Sequence, residues 1–314
     1  MKTSYIGYAT DHSIREKATS GGVGSAIIKY LFDNGLTDYA MSFGFVSPEV
    51  GYKPVLVSDF SDYKICGSIY HEMEFLKELK RQLPKRHGGG KIVLCTLPCQ
   101  TKAVKRICKD LGYDAIIIGL TCSSQQDYGA TTYLLKRLGV DINDVIVIQY
   151  RGNGWPSGIQ IKLKSGEDIL VPNLNSVWTD IFHSRLFIQK RCFHCSNTLN
   201  DDADITLADP WLPEYVNSEK IGKTLFSSNT EIGERLILQC LNEGYIKAEE
   251  IDNSKFIESQ GITIRRKQSY AHHPKVRKMM MKVFLSSRYK KLVKHPLLFK
   301  IHNRIKEKIE ELIT

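Results

Sequence analysis

The sequence predicts an α/β or α+β protein in which a mixed or parallel sheet is flanked by helices and followed by a basic helical C-terminal tail. In the main body, short apolar segments typical of buried strands alternate with helical patterns. This order favours parallel strands with helices packed on the sheet. After residue 270, basic residues are concentrated and helical patterns follow one another without intervening strands.

Residues 1–90 are predicted to form the N-terminal part of the main body. The first helix is supported by apolar residues at helical spacing and by Gly35, a natural stop. Three consecutive glycines indicate an exposed connection at the end of the section. The elements predicted here are, in order, the helix Gly22–Asn34, the strands Tyr39–Val46 and Lys53–Val57, the helix Glu72–Gln82 and the connection Lys85–Gly90.

Residues 91–262 are predicted to form the C-terminal part of the body and to carry the cysteine ligands. The section begins with strand–helix–strand–helix order, which predicts a parallel or mixed sheet. The elements predicted here are, in order, Lys91–Cys95 (strand), Thr101–Leu111 (helix), Ala115–Leu120 (strand), Tyr128–Leu138 (helix), Val145–Arg151 (strand), Gln160–Lys164 with Asp168–Val171 (hairpin), Ile181–Ile188 (helix) and Thr230–Glu243 (helix).

Residues 263–314 are predicted to form the basic tail, which accounts for most of the net charge of +10. From residue 271 onward there are 12 Lys and Arg against three Glu, whereas the body is almost neutral. Three interpretations remain open: helices packed on the body, contact of residues 271–314 with an anionic membrane surface, and nucleic-acid binding. We expect no nucleic-acid partner, because no recognised binding module accompanies the charge.

The compartment is predicted from what the sequence contains. No run approaches the roughly 18 apolar residues of a membrane span, and the first ten residues lack the pattern of a signal peptide. Eight cysteines without such a signal indicate a reducing compartment, where thiols serve as ligands or core residues. We therefore expect a cytoplasmic protein, peripheral at the inner membrane face if the tail contacts lipid.

The pair Cys192-Phe-His-Cys195 is the sharpest local feature, because a turn of this length brings two sulfurs to the same side. Such a pair is half of a zinc site, half of an iron–sulfur site or a thioredoxin-like redox pair. A thioredoxin pair should lie between a strand and a helix, and this one precedes a polar loop. The spacing therefore favours a metal centre.

Two further cysteines, Cys99 and Cys122, follow predicted strands directly. Strand ends of a parallel sheet gather at one crevice, so these two thiols would meet there if their strands are neighbours. With Cys192 and Cys195 they complete a set of four, and His194 is the alternative fourth ligand. Four thiolates suit either Zn²⁺ or a [4Fe–4S] cluster, and spacing alone leaves both open.

Six short motifs occur in an order and spacing that resemble the family of coenzyme F420 hydrogenase and dehydrogenase beta subunits. The resemblance extends from about Ser4 to Tyr245. The motifs are Ala18-Thr19-Ser20-Gly21-Gly22, Gly67-Ser68-Ile69-Tyr70, Leu97-Pro98-Cys99-Gln100, Cys122-Ser123-Ser124, Tyr150-Arg151 with Gly154-Trp155, and Cys192-x-x-Cys195 with Ala203-Asp204-Ile205 and Asp209-x-Trp211.

The resemblance implies a flavoprotein that binds FAD beside a [4Fe–4S] cluster held by the four cysteines named above. Electrons would come from a separate donor, a ferredoxin-like protein or a reduced cofactor, and would reach a small-molecule acceptor. Ile69 replaces the lysine of the family motif, and we expect this member not to use F420. The implied flavin-binding residues are Ser20, Gly21, Gly22, Gly67, Ser68, Tyr70, Arg151 and Trp155.

Elementary chemistry gives the same residues both functional and structural interpretations. Backbone N–H groups of Ser20-Gly21-Gly22 at a helix start suit a phosphate, or the segment is a simple N-cap. Arg151 and Trp155 suit clamping and stacking on a ring system, or are a surface arginine and a packing tryptophan. Asp204 and Asp209 are predicted to cap loops.

The sequence therefore predicts an iron–sulfur flavoprotein oxidoreductase that reduces a small organic or sugar-linked acceptor, with a role in surface polysaccharide biosynthesis implied by the resemblance. The alternative is a non-catalytic assembly or electron-transfer subunit that carries zinc or a cluster on the same cysteines. Cys66, Cys108 and Cys240 are predicted to be structural.

Overall fold

An eight-stranded mixed sheet runs through the main body, and a three-stranded antiparallel sheet lies beside it. The structure is a computed structural model that describes residues 3–47, 49–83 and 89–314. The strands are β1 (Ser4–Ala9), β2 (Tyr39–Val46), β3 (Gly51–Val57), β4 (Gly90–Thr96), β5 (Tyr113–Leu120), β6 (Val145–Gln149), β7 (Gly158–Leu163), β8 (Asp168–Pro172), β9 (Ile205–Ala208), β10 (Thr224–Ser228) and β11 (Ile246–Ile251).

The helices flank the large sheet and continue into the tail. They are α1 (His12–Lys17), α2 (Val23–Asp33), α3 (Phe75–Gln82), α4 (Thr101–Asp110), α5 (Tyr128–Leu138), α6 (Val177–His183), α7 (Pro213–Val216), α8 (Glu231–Asn242), α9 (Asn253–Ser259), α10 (Gly261–His272), α11 (Pro274–Phe284), α12 (Ser287–Val293) and α13 (Pro296–Ile313). None of the helices in the described ranges combines the length and apolar composition that crossing a membrane requires.

The centre of the large sheet is parallel and its flanks are antiparallel. The strand order is β11-β1-β10-β9-β5-β4-β2-β3, in which β2, β4, β5 and β9 run parallel to one another. Successive side chains of β4 and β5 pack on opposite faces: Val93 and Ile118 lie against α2, while Leu94 and Ile117 lie against α3 and α4. Burial on both faces explains why these strands are continuous apolar runs.

The tail helices belong to the largest hydrophobic cluster of the molecule. Phe284 and Phe299 are buried in the same cluster as Tyr133 of α5 and Trp178 of α6. Pro296 occupies the first turn of α13, where proline is tolerated because its missing N–H is not needed. The tail is helical as predicted, and its apolar stripe is packed against the body.

The predicted α/β class is confirmed, and several element boundaries differ. The predicted helix Ile181–Ile188 is wrong: α6 begins after the capping residue Ser176, and the left-handed backbone at Arg185 (φ 63°) lies just beyond its end. Residues 85–88 of the predicted connection Lys85–Gly90 lie outside the described residues, and Gly90 begins β4.

Four strands of the large sheet have no predicted counterpart. The short strand β9 and the polar edge strand β11 carry weak patterns, and β1 and β10 acquire partners only through long-range pairing. Because β1, β2 and β3 lie in the same sheet as later strands, residues 1–90 contribute to one body together with the section that follows. The domain boundaries near residues 90 and 262 stay predictions.

Candidate metal and flavin site

Cys99 and Cys122 lie at the same edge of the sheet. β4 and β5 are parallel neighbours, with Thr96 paired to Gly119, so the loops that follow them leave the sheet side by side. The backbone N–H of Cys122 donates to the Thr198 carbonyl at 3.0 Å, which fixes this loop against the segment after the cysteine pair. The adjacency on which the predicted convergence depends is therefore present.

The pair Cys192 and Cys195 lies on a 3₁₀ turn, Lys190–Phe193, and the residues just after it. The Cys192 sulfur accepts the backbone N–H of Gln125 at 3.4 Å, which ties the pair to the loop after β5. Cys195 lies 3.3 Å from the Asn197 carbonyl and 3.6 Å from the ammonium of Lys267. The turn thus faces the loop that carries Cys122.

The four thiols influence one another electrostatically. Burial raises the pKa of Cys122 to about 12, Lys267 opposes this shift, and the thiols of Cys192, Cys99 and Cys195 add to it. Burial likewise raises the pKa of Cys192. Such thiols become ligands only when a metal supplies positive charge, because a coordinating thiol is deprotonated by the ion.

The grouping is looser than a single-ion site. Among the residues that the structure describes, no three His, Cys, Asp or Glu side chains are placed to hold one metal ion. The alternative ligand His194 is exposed, as is Cys99. Cys108 and Cys240 are buried in apolar clusters away from this edge, as predicted, whereas Cys66 and Cys95 are partly exposed and interact with each other.

A buried ion pair joins the remaining motifs. Arg151 is 1% exposed, and one of its terminal nitrogens lies 3.0 Å from a carboxylate oxygen of Asp209 and 3.1 Å from the Tyr70 hydroxyl. Its other terminal nitrogen donates to the Thr19 carbonyl at 3.0 Å. The interpretation of Arg151 as a surface residue is therefore wrong, because it is the centre of the group.

Tryptophans lie next to this ion pair. The indole N–H of the buried Trp155 donates to Asp209 at 3.2 Å, and its ring lies 5.2 Å from that of Trp211. The Arg151 guanidinium lies 5.9 Å from the Trp211 ring centroid. Asp209 follows β9, at the same sheet edge as Cys122. Its carboxylate pairs with the buried Arg151, whereas the sequence predicted that it caps a loop.

The glycine-rich motifs approach the same group. Gly67 has a left-handed backbone (φ 66°), and a side chain there would collide with the Arg151 carbonyl, so only glycine fits. The Ser68 hydroxyl lies 3.0 Å from that of Thr19. Ser68 thus lies close to the backbone carbonyl that accepts a hydrogen bond from Arg151.

The segment Ser20-Gly21-Gly22 leads into α2, with Gly22 in the left-handed N-cap position. Two of its polar groups already have a partner inside the protein. The Ser20 hydroxyl lies 3.1 Å from the Thr224 hydroxyl, and the Gly21 N–H donates to the same Thr224 hydroxyl at 2.8 Å. Any anion at this helix start would therefore meet the N–H groups of Gly22 and the first turn of α2.

A short chain of contacts connects the cysteines to the Arg151 group. Gln125, whose N–H bonds Cys192, also reaches the carbonyls of Ile69 and His71 through its side-chain amide. The next residue, Gln126, donates its N–H to the Tyr70 carbonyl at 2.9 Å. The cysteines and the Arg151 group are thus linked through Gln125 and Gln126, in the loop that follows β5.

Sequence reasoning did not identify Lys267, Gln125 or Thr19 as parts of this site. Lys267 lies in the predicted tail 263–314 but before residue 271, where the excess of basic residues begins. Gln125 and Thr19 contribute backbone groups as well as side-chain hydrogen bonds, and backbone groups leave no residue-type signal in a sequence. A tail lysine flanked by residues at helical spacing gives no indication that it is buried.

Comparisons with known proteins agree with the resemblance. Residues 4–80 match the model of the N-terminal domain of the coenzyme F420 hydrogenase/dehydrogenase beta subunit, and residues 89–254 match the model of its C-terminal domain. The coenzyme F420 hydrogenase subunit beta of Methanococcus voltae is 24% identical over 267 residues, covering 81% of this chain and 86% of the relative.

A second relative and a solved structure agree. The F420-dependent formate dehydrogenase 1 subunit beta of Methanococcus maripaludis is 24% identical over 268 residues, which cover 84% of this chain but 64% of that longer protein. A chain of the F420-reducing [NiFe] hydrogenase complex from Methanosarcina barkeri superposes with a TM-score of 0.66 and 19% identity, covering 86% of this chain and 91% of that chain. This protein belongs to the coenzyme F420 hydrogenase/dehydrogenase beta subunit family, whose members named here are subunits of oxidoreductases.

Proposed function

We propose that this protein is an iron–sulfur flavoprotein that passes electrons from a separate donor to a small-molecule acceptor. The proposal is supported by the placement of Cys99 and Cys122 after neighbouring parallel strands and by the contacts of Cys192 and Cys195 with the loop after β5 and with Lys267, at the edge that also bears Arg151. A [4Fe–4S] cluster would supply one-electron transfer, and FAD would supply the exchange between one- and two-electron chemistry. The protein would bind both and keep them adjacent.

We propose a cluster and not a single ion on these cysteines. Tetrahedral zinc, with Zn–S bonds of about 2.3 Å, would draw the four sulfurs to roughly 3.8 Å from one another. In a cluster each cysteine binds a different iron, so the sulfurs can lie farther apart. Cys99, Cys122, Cys192 and Cys195 would be the ligands.

The Arg151 group fits a bound cofactor because one of its donors has no partner. Among the described residues, the buried Nε–H of Arg151 makes no hydrogen bond, whereas its two terminal nitrogens are fully engaged. Buried donors are seldom left unpaired, so an acceptor oxygen or nitrogen of a flavin is the partner we propose. Tyr70, Trp155, Gly67 and Ser68 would shape this part of the site.

The acceptor and the place of action follow from the family resemblance. We propose a small organic or sugar-linked acceptor, used in surface polysaccharide biosynthesis, and a ferredoxin-like protein or a reduced cofactor as the donor. Oxygen-free reoxidation of the reduced protein by sugar-linked acceptors, followed by absorbance, tests this proposal. Rates equal to those of a buffer blank for every acceptor tried would reject it.

The first expected result concerns the cofactors themselves. Protein purified without oxygen should contain about four irons per chain and a matching amount of sulfide, with the broad visible absorbance of thiolate-bound iron. It should also contain flavin close to one per chain. Metal analysis, sulfide determination and chromatography of the released flavin, all on one sample, measure this. A colourless protein with one zinc would instead support the Cys₄ assembly-factor alternative.

A second expected result concerns the tail, for which we propose peripheral contact with an anionic membrane surface. Exposed apolar side chains on α12 and α13 lie among the basic residues of a segment with nine more cations than carboxylates. Such a surface combines apolar insertion with attraction to anionic lipid. The exposed apolar residues are Leu292, Leu297, Ile301, Ile305 and Leu312.

We expect the protein to cosediment with vesicles that contain phosphatidylserine and not with neutral vesicles. Leu297→Ser should weaken binding roughly tenfold, since burying a leucine contributes at least about 1.5 kcal/mol. Leu170→Ser is the matched control, because Leu170 is equally exposed (62%) but lies on β8. Equal sedimentation with both lipid compositions would contradict the proposal.

A further inference from the structure

Lys267 of α10 is a buried lysine with no carboxylate beside it. The residue is 4% exposed, and its ammonium donates to the Asn197 carbonyl at 2.6 Å and to the Cys122 carbonyl at 2.8 Å. Within the described part of the chain, no Asp or Glu oxygen lies within ion-pairing distance of it. Buried charges are normally paired, so this ammonium lacks a counter-ion.

The third contact of Lys267 indicates the missing counter-ion. The ammonium lies 3.6 Å from the Cys195 sulfur, and it acts electrostatically on Cys122 in the direction that favours the thiolate. Both cysteines are proposed ligands. Thiolates bound to a metal would provide the negative charge that the buried ammonium lacks.

A second cation of α10, Arg266, also lies close to the cysteine site. Arg266 donates to the carbonyl and the hydroxyl of Ser123, directly after Cys122. Burial, followed by repulsion from Arg185, lowers the pKa of Arg266 to about 9. A buried group with surplus positive charge is stabilised when an anionic centre binds beside it.

The nearby carboxylate Glu310 is already committed to other partners. It pairs with Arg185 at 3.2 Å and with Lys306 at 3.4 Å, and it accepts a hydrogen bond from the Tyr270 hydroxyl. Glu310 therefore pairs with cations of α13 and of the turn after α6 and also acts on Arg266 of α10, but it forms no ion pair with Lys267.

We infer that Lys267 is a positioning residue of the metal centre, whose charge stabilises the ligating thiolates and raises the reduction potential of the cluster. This inference rests on the proposed function. Lys267 lies beyond residue 254, where the match to the family model ends. Helix α10 of the tail would thereby contribute a residue to the redox site, while α12 and α13 carry the exposed apolar side chains.

The test is a reductive titration of four purified, iron-loaded proteins, with the midpoint potential as the readout. Lys267→Gln keeps a hydrogen-bond donor but removes the charge, and Lys267→Arg keeps the charge. Lys300→Met is the control, because Lys300 is an exposed lysine of α13. We expect Lys267→Gln to favour the oxidised cluster about tenfold, which is about 59 mV more negative for a one-electron couple. Lys267→Arg and Lys300→Met should match the wild type.

A purely structural role for Lys267 would change iron content or melting temperature without changing the potential of the iron that remains. If Lys267→Gln does not fold, Arg266→Gln repeats the test, because the Arg266 guanidinium donates to Ser123 beside Cys122 and its loss should shift the potential in the same direction. Equal potentials for the wild type and the charge-removing variant would overturn the inference alone. A wild-type protein without iron would overturn the proposed function, and this inference with it.

Discussion

Alanine at Cys122 or at Cys192 is expected to abolish the metal centre. The variants should contain less than about a tenth of the wild-type iron and lose the visible absorbance, because a [4Fe–4S] cluster requires four protein ligands. Iron analysis and absorbance of proteins purified without oxygen measure the effect.

Cys240→Ala is the matched control for this loss. Cys240 is completely buried in α8, within the apolar cluster on the other side of the body, and no metal role is proposed for it. Its replacement also removes one thiol, but it should keep the full iron content and cost only about 1 kcal/mol of unfolding free energy. Full iron content in Cys122→Ala and Cys192→Ala would show that the four thiols are not the ligands.

The neighbouring strands that lead to Cys99 and Cys122 could be predicted from the sequence. Apolar runs before Cys99 and Cys122 identify two buried strands, and neighbouring parallel strands end at one edge. The structure contains both strands and their adjacency, and it places the pair Cys192 and Cys195 against the loop after β5. The predicted adjacency of the two strands is therefore confirmed, whereas metal binding by the four cysteines stays a prediction.

Other parts of the site could not be obtained in this way. Asp209 follows the four-residue strand β9, and its pairing with Arg151 joins residues 58 positions apart. Lys267 looks like any other lysine of a basic tail, because burial depends on how α10 packs and not on the residues around it. Pairings of this kind are decided by the tertiary fold, and one sequence carries no local signal for them.

The second large effect is expected at Asp209. Asp209→Asn removes the carboxylate but keeps an oxygen that can accept the Trp155 N–H, so Arg151 is left as an uncompensated buried charge. Breaking a buried ion pair at one partner costs about 3–5 kcal/mol of unfolding free energy. Urea unfolding followed by circular dichroism measures the change.

The loss of unfolding free energy in Asp209→Asn is compared first with that of a variant in which an exposed ion pair is broken. Glu74→Gln breaks the exposed pair with Lys77, at 2.6 Å, and should cost less than about 1 kcal/mol. Asp209→Asn that is no worse than Glu74→Gln would contradict the buried ion pair.

Replacing both partners, as in Arg151→Met with Asp209→Leu, should recover much of the lost stability, because no unpaired charge remains. This double variant separates folding from cofactor binding. Stability belongs to the pair as a whole, whereas the unpartnered Arg151 Nε–H is lost with the arginine. We therefore expect the double variant to be folded and to keep its iron, yet to be purified without flavin. Full flavin content in that protein would mean that the cofactor is held elsewhere.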